Sequence, residues 1–267
     1  SDDETALSLG LHPNHSVHVS ADRLDELLLA VPAPIFVAGG SATNALKAAS
    51  ALGAECAFAG CTGMEGREQD QWAQIFADDL SSFGVKGLLE NRNKPTGRCL
   101  VIHMPGGMKS VACAPSAANE FTRDQLRDIM EGGAQSVFLD GQILRNGEIC
   151  SYIANACRER DIPLALDIAS TGIVQSFSAK ILEILQTNKT ILFMNSDEAF
   201  ALASALEHTV PGEKSIQTED EFVNSVFSFH ASGERPFPCI VEKRGADGSR
   251  AWQSGRSYVA KTGPVDF

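Results

Sequence analysis

Two hydrophobic rhythms divide this chain. From Phe121 onward, short continuous apolar runs alternate with longer segments whose apolar residues recur every three or four positions. The runs are 136–140 (Ser-Val-Phe-Leu-Asp), 163–167 (Pro-Leu-Ala-Leu-Asp), 190–194 (Thr-Ile-Leu-Phe-Met) and 238–242 (Pro-Cys-Ile-Val-Glu). The periodic segments are 122–131, 147–160, 174–187 and stretches near 196–206 and 219–230. Runs of that length read as strands buried on both sides. Their alternation with helices predicts an α/β fold, a doubly wound and mainly parallel sheet with helices on both faces. Ligands in such sheets bind beyond the carboxyl ends of the strands. That rule singles out Asp140, Asp167, Asn195 and the loop after Glu242.

The first half is less regular. A short alternating run, 16–19, leads to Ser20, a good cap for a helix that repeats Leu24, Leu27, Leu28 and Val31. Pro32 and Pro34 close it. Gly39-Gly40 precedes an Ala- and Leu-rich segment, 41–52, which reads as a buried helix ending at Gly53. Residues 55–59 read as a buried strand, and 67–83 as a polar-faced helix carrying Trp72, Ile75, Phe76 and Leu80. Two β-rich runs, 98–103 and 108–113, flank Pro105-Gly106-Gly107, which suits a hairpin turn. They predict a small β element apart from the main sheet. Residues 249–267 show β-like alternation.

At 267 residues the chain can form one large domain with its own core, and 43% hydrophobic with 21% charged residues suits a soluble globule. The net charge of −12 opposes a polyphosphate backbone, so nucleic acid is excluded as a partner. A small anion can still bind at backbone amides and helix N-termini. No run approaches the roughly 20 apolar residues of a membrane span. The sequence starts at Ser1 without an initiating Met, which reads as a processed or artificial end from which a targeting segment could have been lost. The seven cysteines form no CxxC pair and read as reduced core residues of a cytoplasmic protein. The six histidines show no metal-ligand spacing.

Three short motifs carry candidate chemistry. Gly39-Gly40-Ser41-Ala42-Thr43-Asn44 puts a glycine pair before a helix. Glycines admit a ligand close to the backbone, and the Asn44 amide both donates to and accepts from a hydroxyl. An ordinary capped helix explains the same residues. Asn195-Ser196-Asp197-Glu198 joins a buried strand to a helix. Its amide and carboxylate share one face and suit hydrated Mg²⁺ with phosphate oxygens, or else a simple helix cap. Glu242-Lys243-Arg244-Gly245-Ala246-Asp247-Gly248 brings two cations and two glycines after a strand, which suits a nucleotide phosphate or a solvated turn. There is no GxxxxGK[ST] and no GxGxxG.

In this order, with Pro95-Thr96-Gly97-Arg98 ahead of the β element, the motifs resemble the PfkB family of ribokinase-like carbohydrate and nucleoside kinases. The adenosine-kinase-like and related sugar-kinase branch is nearest, and the resemblance covers nearly the whole chain. It implies a single ribokinase-like domain over 1–267, with a small β lid built from approximately 12–19 and 94–114. It implies an ATP-dependent, Mg²⁺-requiring kinase that phosphorylates a hydroxyl of a small-molecule sugar or nucleoside, cytoplasmic and either monomer or homodimer. Gly39, Gly40 and Asn44 would hold substrate hydroxyls, with Thr96 and Gly97 near the lid. Asn195 and Glu198 match the family's Asn-x-x-Glu motif for Mg²⁺ and phosphate. Lys243, Gly245 and Gly248 match the start of its nucleotide-binding region. In the family an aspartate of a Gly-Ala-Gly-Asp motif is the base, and amides at that helix N-terminus stabilise the transferring charge.

The sequence departs from the family at several points. Gly-Ala-Gly-Asp is absent, and Gly263-Pro264-Val265-Asp266-Phe267 stands where the family runs into it. The base is therefore expected beyond Phe267, and Asp266 is not assigned. The family's first core strand is missing too. The natural protein is expected to extend past both ends, and these 267 residues alone to be unable to transfer a phosphoryl group. Gly63-Met64-Glu65-Gly66 replaces the usual Gly-x-Asp, Leu46 a small residue, and Ser116-Ala117-Ala118 resembles Gly-Ala-Ala. The rival readings are a non-catalytic sugar- or nucleotide-binding protein on a kinase fold, and an unrelated doubly wound protein such as a dehydrogenase, whose fingerprint loop is lacking.

Overall fold

The computed structural model describes residues 9–12, 16–104, 108–209, 221, 223, 239–253 and 256–262. The expected turn at 105–107, most of the helix expected over 219–230 and Asp266 lie outside them. The chain divides into two compact units, Ser1–Gln125 and Leu126–Phe267.

The first unit holds two small sheets. In one, β1 (Ser16–His18) runs parallel to β6 (Lys109–Ala114), which is antiparallel to β5 (Arg98–His103). This is the β element expected from 98–113, and the run near residue 17, which the family resemblance places in it, forms its third strand. Helix α1 (Ala21–Ala30) covers one face. The Ser20 side chain caps it by accepting from Arg23 N at 3.1 Å. Leu24 and Leu27, one turn apart, pack with Leu100, Ile102, Ala112 and Ala114 in one core. In the other sheet, β2 (Ala57–Glu65) pairs in parallel with β4 (Lys86–Arg92) and antiparallel with the short β3 (Glu68–Gln69). Helices α2 (Ser41–Ala51) and α3 (Gln71–Ser82) accompany it.

Four expectations need correction here. Strand β2 runs well beyond 55–59. Strand β4 escaped notice because its only apolar stretch, Gly87-Leu88-Leu89, is too short to show a period. Helix α2 is not a buried helix: of its residues only Thr43 is buried, so its alanines line a half-open surface. The cysteines are not all reduced. Cys99 and Cys113 are register partners across β5 and β6, with Cα atoms 4.2 Å apart, and are joined by a disulfide. That spacing is the close cross-strand separation of an antiparallel ladder. Fourteen residues of sequence separation hid the pairing, because only the register brings the two together.

The second unit is built on a six-stranded sheet of order β12-β11-β10-β9-β8-β7. Strands β7 (Val137–Asp140), β8 (Leu164–Asp167), β9 (Thr190–Asn195) and β10 (Cys239–Lys243) are parallel, and β11 (Ser249–Gln253) and β12 (Arg256–Ala260) continue it antiparallel. Side chains alternate between faces along a strand. Leu164, Leu166, Leu192, Met194 and Ile240 therefore share one face, and each is at most 1% exposed. Helix α4 (Arg123–Glu131) crosses the division between the units, and α5 (Gly147–Glu159), α6 (Thr171–Thr187) and α7 (Ser196–Thr209) connect the parallel strands. Asn146 and Ser170 cap α5 and α6 by accepting from Ile149 N and Ile173 N. The Ser170 cap starts α6 three residues ahead of the expected 174.

The disulfide can be counted. Denatured without reductant, the protein should titrate five thiols, those of Cys56, Cys61, Cys150, Cys157 and Cys239, and after reduction all seven. Seven thiols before reduction would show that Cys99 and Cys113 are free.

Candidate active site

In the second unit, the parallel register brings three sequence-distant segments to one edge. Lys243 is the partner of Asn195, and Asp167 is the partner of Phe193, two residues before Asn195. By the period of two, Asp167, Asn195 and Lys243 project from the same face. Lys243 Nζ reaches across β9 and donates to Asp167 Oδ1 at 2.5 Å. The ammonium end remains open to solvent: the Lys243 side chain is 44% exposed, against 10% for Asp167. On the opposite face, Ser196 Oγ donates to the buried Glu242 Oε1 at 2.7 Å, and Arg244 Nε stands 3.5 Å from Glu242 Oε2.

Asn195 and Glu198 form a reciprocal box at the start of α7. Glu198 N donates to Asn195 Oδ1 at 2.9 Å, and Asn195 N donates to Glu198 Oε2 at 2.8 Å. This is the cap that residue types alone suggested, and it satisfies two end groups of the helix at once. Glu198 is also buried and sits in a charged field. Burial pushes its carboxyl above the ordinary range, the Asn195 N–H and Lys243 pull it back, and Asp167 and Asp197 add to the rise. One carboxyl thus caps a helix and senses both members of the Lys243–Asp167 pair.

Backbone constraints shape the same edge. Ala169, two residues after Asp167, takes a φ of +69°, in the left-handed region. For a residue with a Cβ that conformation costs about 1–2 kcal/mol, and it redirects the chain into α6. After β10 the chain closes on itself: Arg244 N donates to Gly248 O at 2.8 Å and Gly248 N to Gly245 O at 3.1 Å. Gly248 has a φ of +89°, and a Cβ there would collide with the Ala260 carbonyl. Gly245, at +56°, faces open space.

In the first unit, Gly39 and Gly40 are exposed, and no atom comes within 4 Å of where a Cβ of Gly39 would sit. Gly40, at φ +112°, precedes α2 without a side-chain cap, and Asn44 stands exposed in the first turn, its N–H donating to Gly40 O at 3.0 Å. Thr96 differs. It is 8% exposed, its N–H donates to Asp70 Oδ2 and its hydroxyl to Asp70 Oδ1, both at 2.7 Å, and the hydroxyl accepts from Gly63 N at 2.8 Å. Gly97 lies against the Pro115 carbonyl, where a Cβ would intrude. The structure therefore groups Gly39, Gly40 and Asn44 at one open helix start, groups Thr96 and Gly97 at the root of the small sheet, and groups Asn195, Glu198 and Lys243 at the edge of the large one.

Sequence reasoning passed over Asp70 entirely. The available signal was an Asp three residues before Ala73, ahead of a periodic segment. Asp167 was noticed only as a strand-end acid, because its partner lies 76 residues away.

With this geometry in hand, the chain matches the model of the pfkB family carbohydrate kinases over residues 5–266, and it belongs to that family. Guanosine-inosine kinase of Escherichia coli strain K12 is 20% identical over 229 residues, covering 82% of this chain and 53% of that protein. The chain thus spans about half the length of the curated relatives it matches. Adenosine kinase of Anopheles gambiae, solved with P1,P4-di(adenosine-5) tetraphosphate, superposes with a TM-score of 0.80 at 20% identity, over 98% of this chain and 82% of that one. Adenosine kinase of Sinorhizobium meliloti gives 0.79 at 19% identity, over 100% and 76%. The fold is that of the ribokinase-like kinases, as the motif order implied. Among the described residues, no helix is long and apolar enough to cross a membrane.

The Glu198 box makes a pH-dependent prediction. The folded carboxyl has a raised pKa, so the folded state holds its proton at a pH where the unfolded chain has lost it. Stability from this group is present below the ordinary carboxylate range and is lost as pH rises through the raised folded value. Glu198→Gln, which still accepts from Asn195 N, should flatten that slope and leave the neutral-pH melting temperature equal or higher. Glu198→Ala should cost about 1 kcal/mol at acid pH by removing the cap, and less as pH rises through the folded value, because the ionised buried carboxylate is lost with it. Melting curves of both variants between pH 4 and 8 check this.

Proposed function

We propose that this protein acts as an ATP-dependent kinase that phosphorylates a hydroxyl of a nucleoside. One observation carries the reading: Lys243 and Asp167 meet beside the Asn195–Glu198 box, at the carboxyl ends of three adjacent parallel strands. Phosphoryl transfer asks a protein mainly to position two substrates and neutralise phosphate charge. An exposed ammonium beside buried carboxylates, on a glycine-bearing loop, suits the second task. A nucleoside acceptor is favoured over a free sugar because the relatives are guanosine-inosine and adenosine kinases.

In this reading Lys243 offers its ammonium to phosphate oxygens of ATP, Gly245 faces open space and lets that phosphate approach the backbone, and Gly248 lets the loop close against Ala260. The donor set also bears on Mg²⁺. Glu198 is only 3% exposed, and among the described residues no three Asp, Glu, His or Cys side chains converge to hold a metal. That fits Mg²⁺ kept largely by waters and phosphate oxygens, with Asn195, Glu198 and Asp167 as its protein partners, and not a closed protein cage. Bound there, the ion would neutralise phosphate charge. In the first unit Gly39, Gly40 and Asn44 take the acceptor's hydroxyls, with Gly97 at the root of the small sheet. Thr96 shapes that side from behind, since Asp70 holds both its N–H and its hydroxyl.

Calorimetry separates the two roles. Asn44→Ala should weaken adenosine or guanosine binding by about 1–3 kcal/mol, the cost of orphaning a polar partner, and leave ATP binding intact. Lys243→Ala should do the reverse. Wild-type protein that binds neither a nucleoside nor ATP would overturn the reading. Binding of both, with no ADP released by the natural full-length protein, would favour a non-catalytic binder.

A further inference from the structure

We propose that Asp70 and Thr96 form a hinge latch that sets the position of the small sheet β1-β6-β5, and that through it they act as positioning residues for acceptor binding; the second half of this rests on the kinase reading above. Asp70 does more than cap a helix. Capping α3 needs one bond, and Asp70 Oδ1 supplies it by accepting from Ala73 N at 2.8 Å. The remaining acceptor capacity of this buried carboxylate goes to Thr96, 26 residues away, through two bonds of 2.7 Å. The Thr96 hydroxyl hands the linkage on, accepting from Gly63 N at 2.8 Å near the end of β2. Gly63 must be glycine for this, since a Cβ would collide with Thr96 N, Asp70 Oδ2 and Lys94 O. One carboxylate and one hydroxyl thus join the end of a core strand, the start of α3 and the residue from which the chain departs into β5.

The return crossing is pinned at the same place. Ala117 N donates to Pro95 O at 3.0 Å, and Gly97 packs against the Pro115 carbonyl. The entry to β5 and the exit from β6 therefore pass through a single point held by Asp70, and the remaining connection runs from α1 through residues 31–40. A second contact chain joins that point to the glycine loop. Phe36, three residues before Gly39, packs at a tilt of 43° against Trp72 in the first turn of α3, with ring centroids 4.8 Å apart. Arg98, the first residue of β5, lies over Trp72 at 5.4 Å and donates to Asp25 of α1 at 2.6 Å. Loosening the latch would free β5 and α1 together and shift the surface against which Phe36, and so Gly39 and Gly40, are set.

The alternative is that Asp70 is a helix cap and nothing more, and Thr96→Val separates the two. It keeps the shape of Thr96 and the Asp70 cap on α3, and removes only the hydroxyl. Amide hydrogen exchange over 98–103 and 109–114 should then speed up about tenfold or more, as losing the hydroxyl's bond to the Asp70 carboxylate and its bond from Gly63 N implies, while 71–82 and the strands β7 to β10 exchange as in wild type. Thr96→Ser should restore wild-type exchange. Calorimetry with adenosine, guanosine and ribose should show Thr96→Val weakening the acceptor by a similar factor with ATP binding unchanged. Unchanged exchange in the small sheet, an equal rise throughout the first unit, or a loosened sheet with unaltered acceptor affinity would each overturn the proposal. If wild-type protein binds none of the three compounds, the kinase reading fails by itself, and the exchange pattern alone upholds or overturns the latch.

Discussion

Parallel pairing of β8, β9 and β10 is the constraint from which the edge of the large sheet follows. In a parallel ladder every strand ends on the same side, so the residues that finish the strands gather without further instruction. Asp167, Asn195 and Lys243 finish three neighbouring strands and share a face. Had β10 slipped by one residue, Lys243 would point to the face where Glu242 now meets Ser196, and the ammonium would lose Asp167. The apolar residues between, Leu164, Leu166, Leu192, Met194 and Ile240, rule out such a slip, because a shift of one residue would turn a strand's buried set to the other face. The polar edge is thus specified by the burial of the apolar middle.

Charge at that edge is arranged so that each group does more than one task. Glu198 closes the cap of α7 and contributes negative potential beside Lys243. Asp167 ends β8 and fixes the ammonium. Such economy has a physical cost, since burying Glu198 raises its pKa and makes its ionised form unfavourable. Groups held in that state are more common where charge is used than where it merely decorates a surface. The first unit follows a different logic: Asp70 is buried but has all its partners among backbone and hydroxyl donors.

How much was legible can be judged from particular residues. The strands 163–167 and 190–194 and the caps Ser20 and Asn195 were visible because apolar runs and capping residues are local signals. Asn195–Glu198 was visible as a pair because three residues in a helix bring side chains to one face. Strand β4 was not visible, since three apolar residues carry no period. Helix α2 was misjudged as buried because alanine is at home both inside a core and on a half-open surface. Thr96 was noticed for its place in a motif, yet its partner Asp70 was not, because their contact needs the fold.

By itself the sequence determined the class of fold, the alternation of strands and helices in the second half, the motifs of the family and the acidic surface that disfavours nucleic acid. These depend on composition and on periodicities within a few turns of chain. Only the tertiary structure decided that Cys99 bonds to Cys113, that Lys243 holds Asp167 and that Asp70 holds Thr96. Each of those contacts joins residues 14 to 76 positions apart. Strand register and the packing of α3 against its neighbours bring them within bonding distance, and neither leaves a mark on the local pattern of residues.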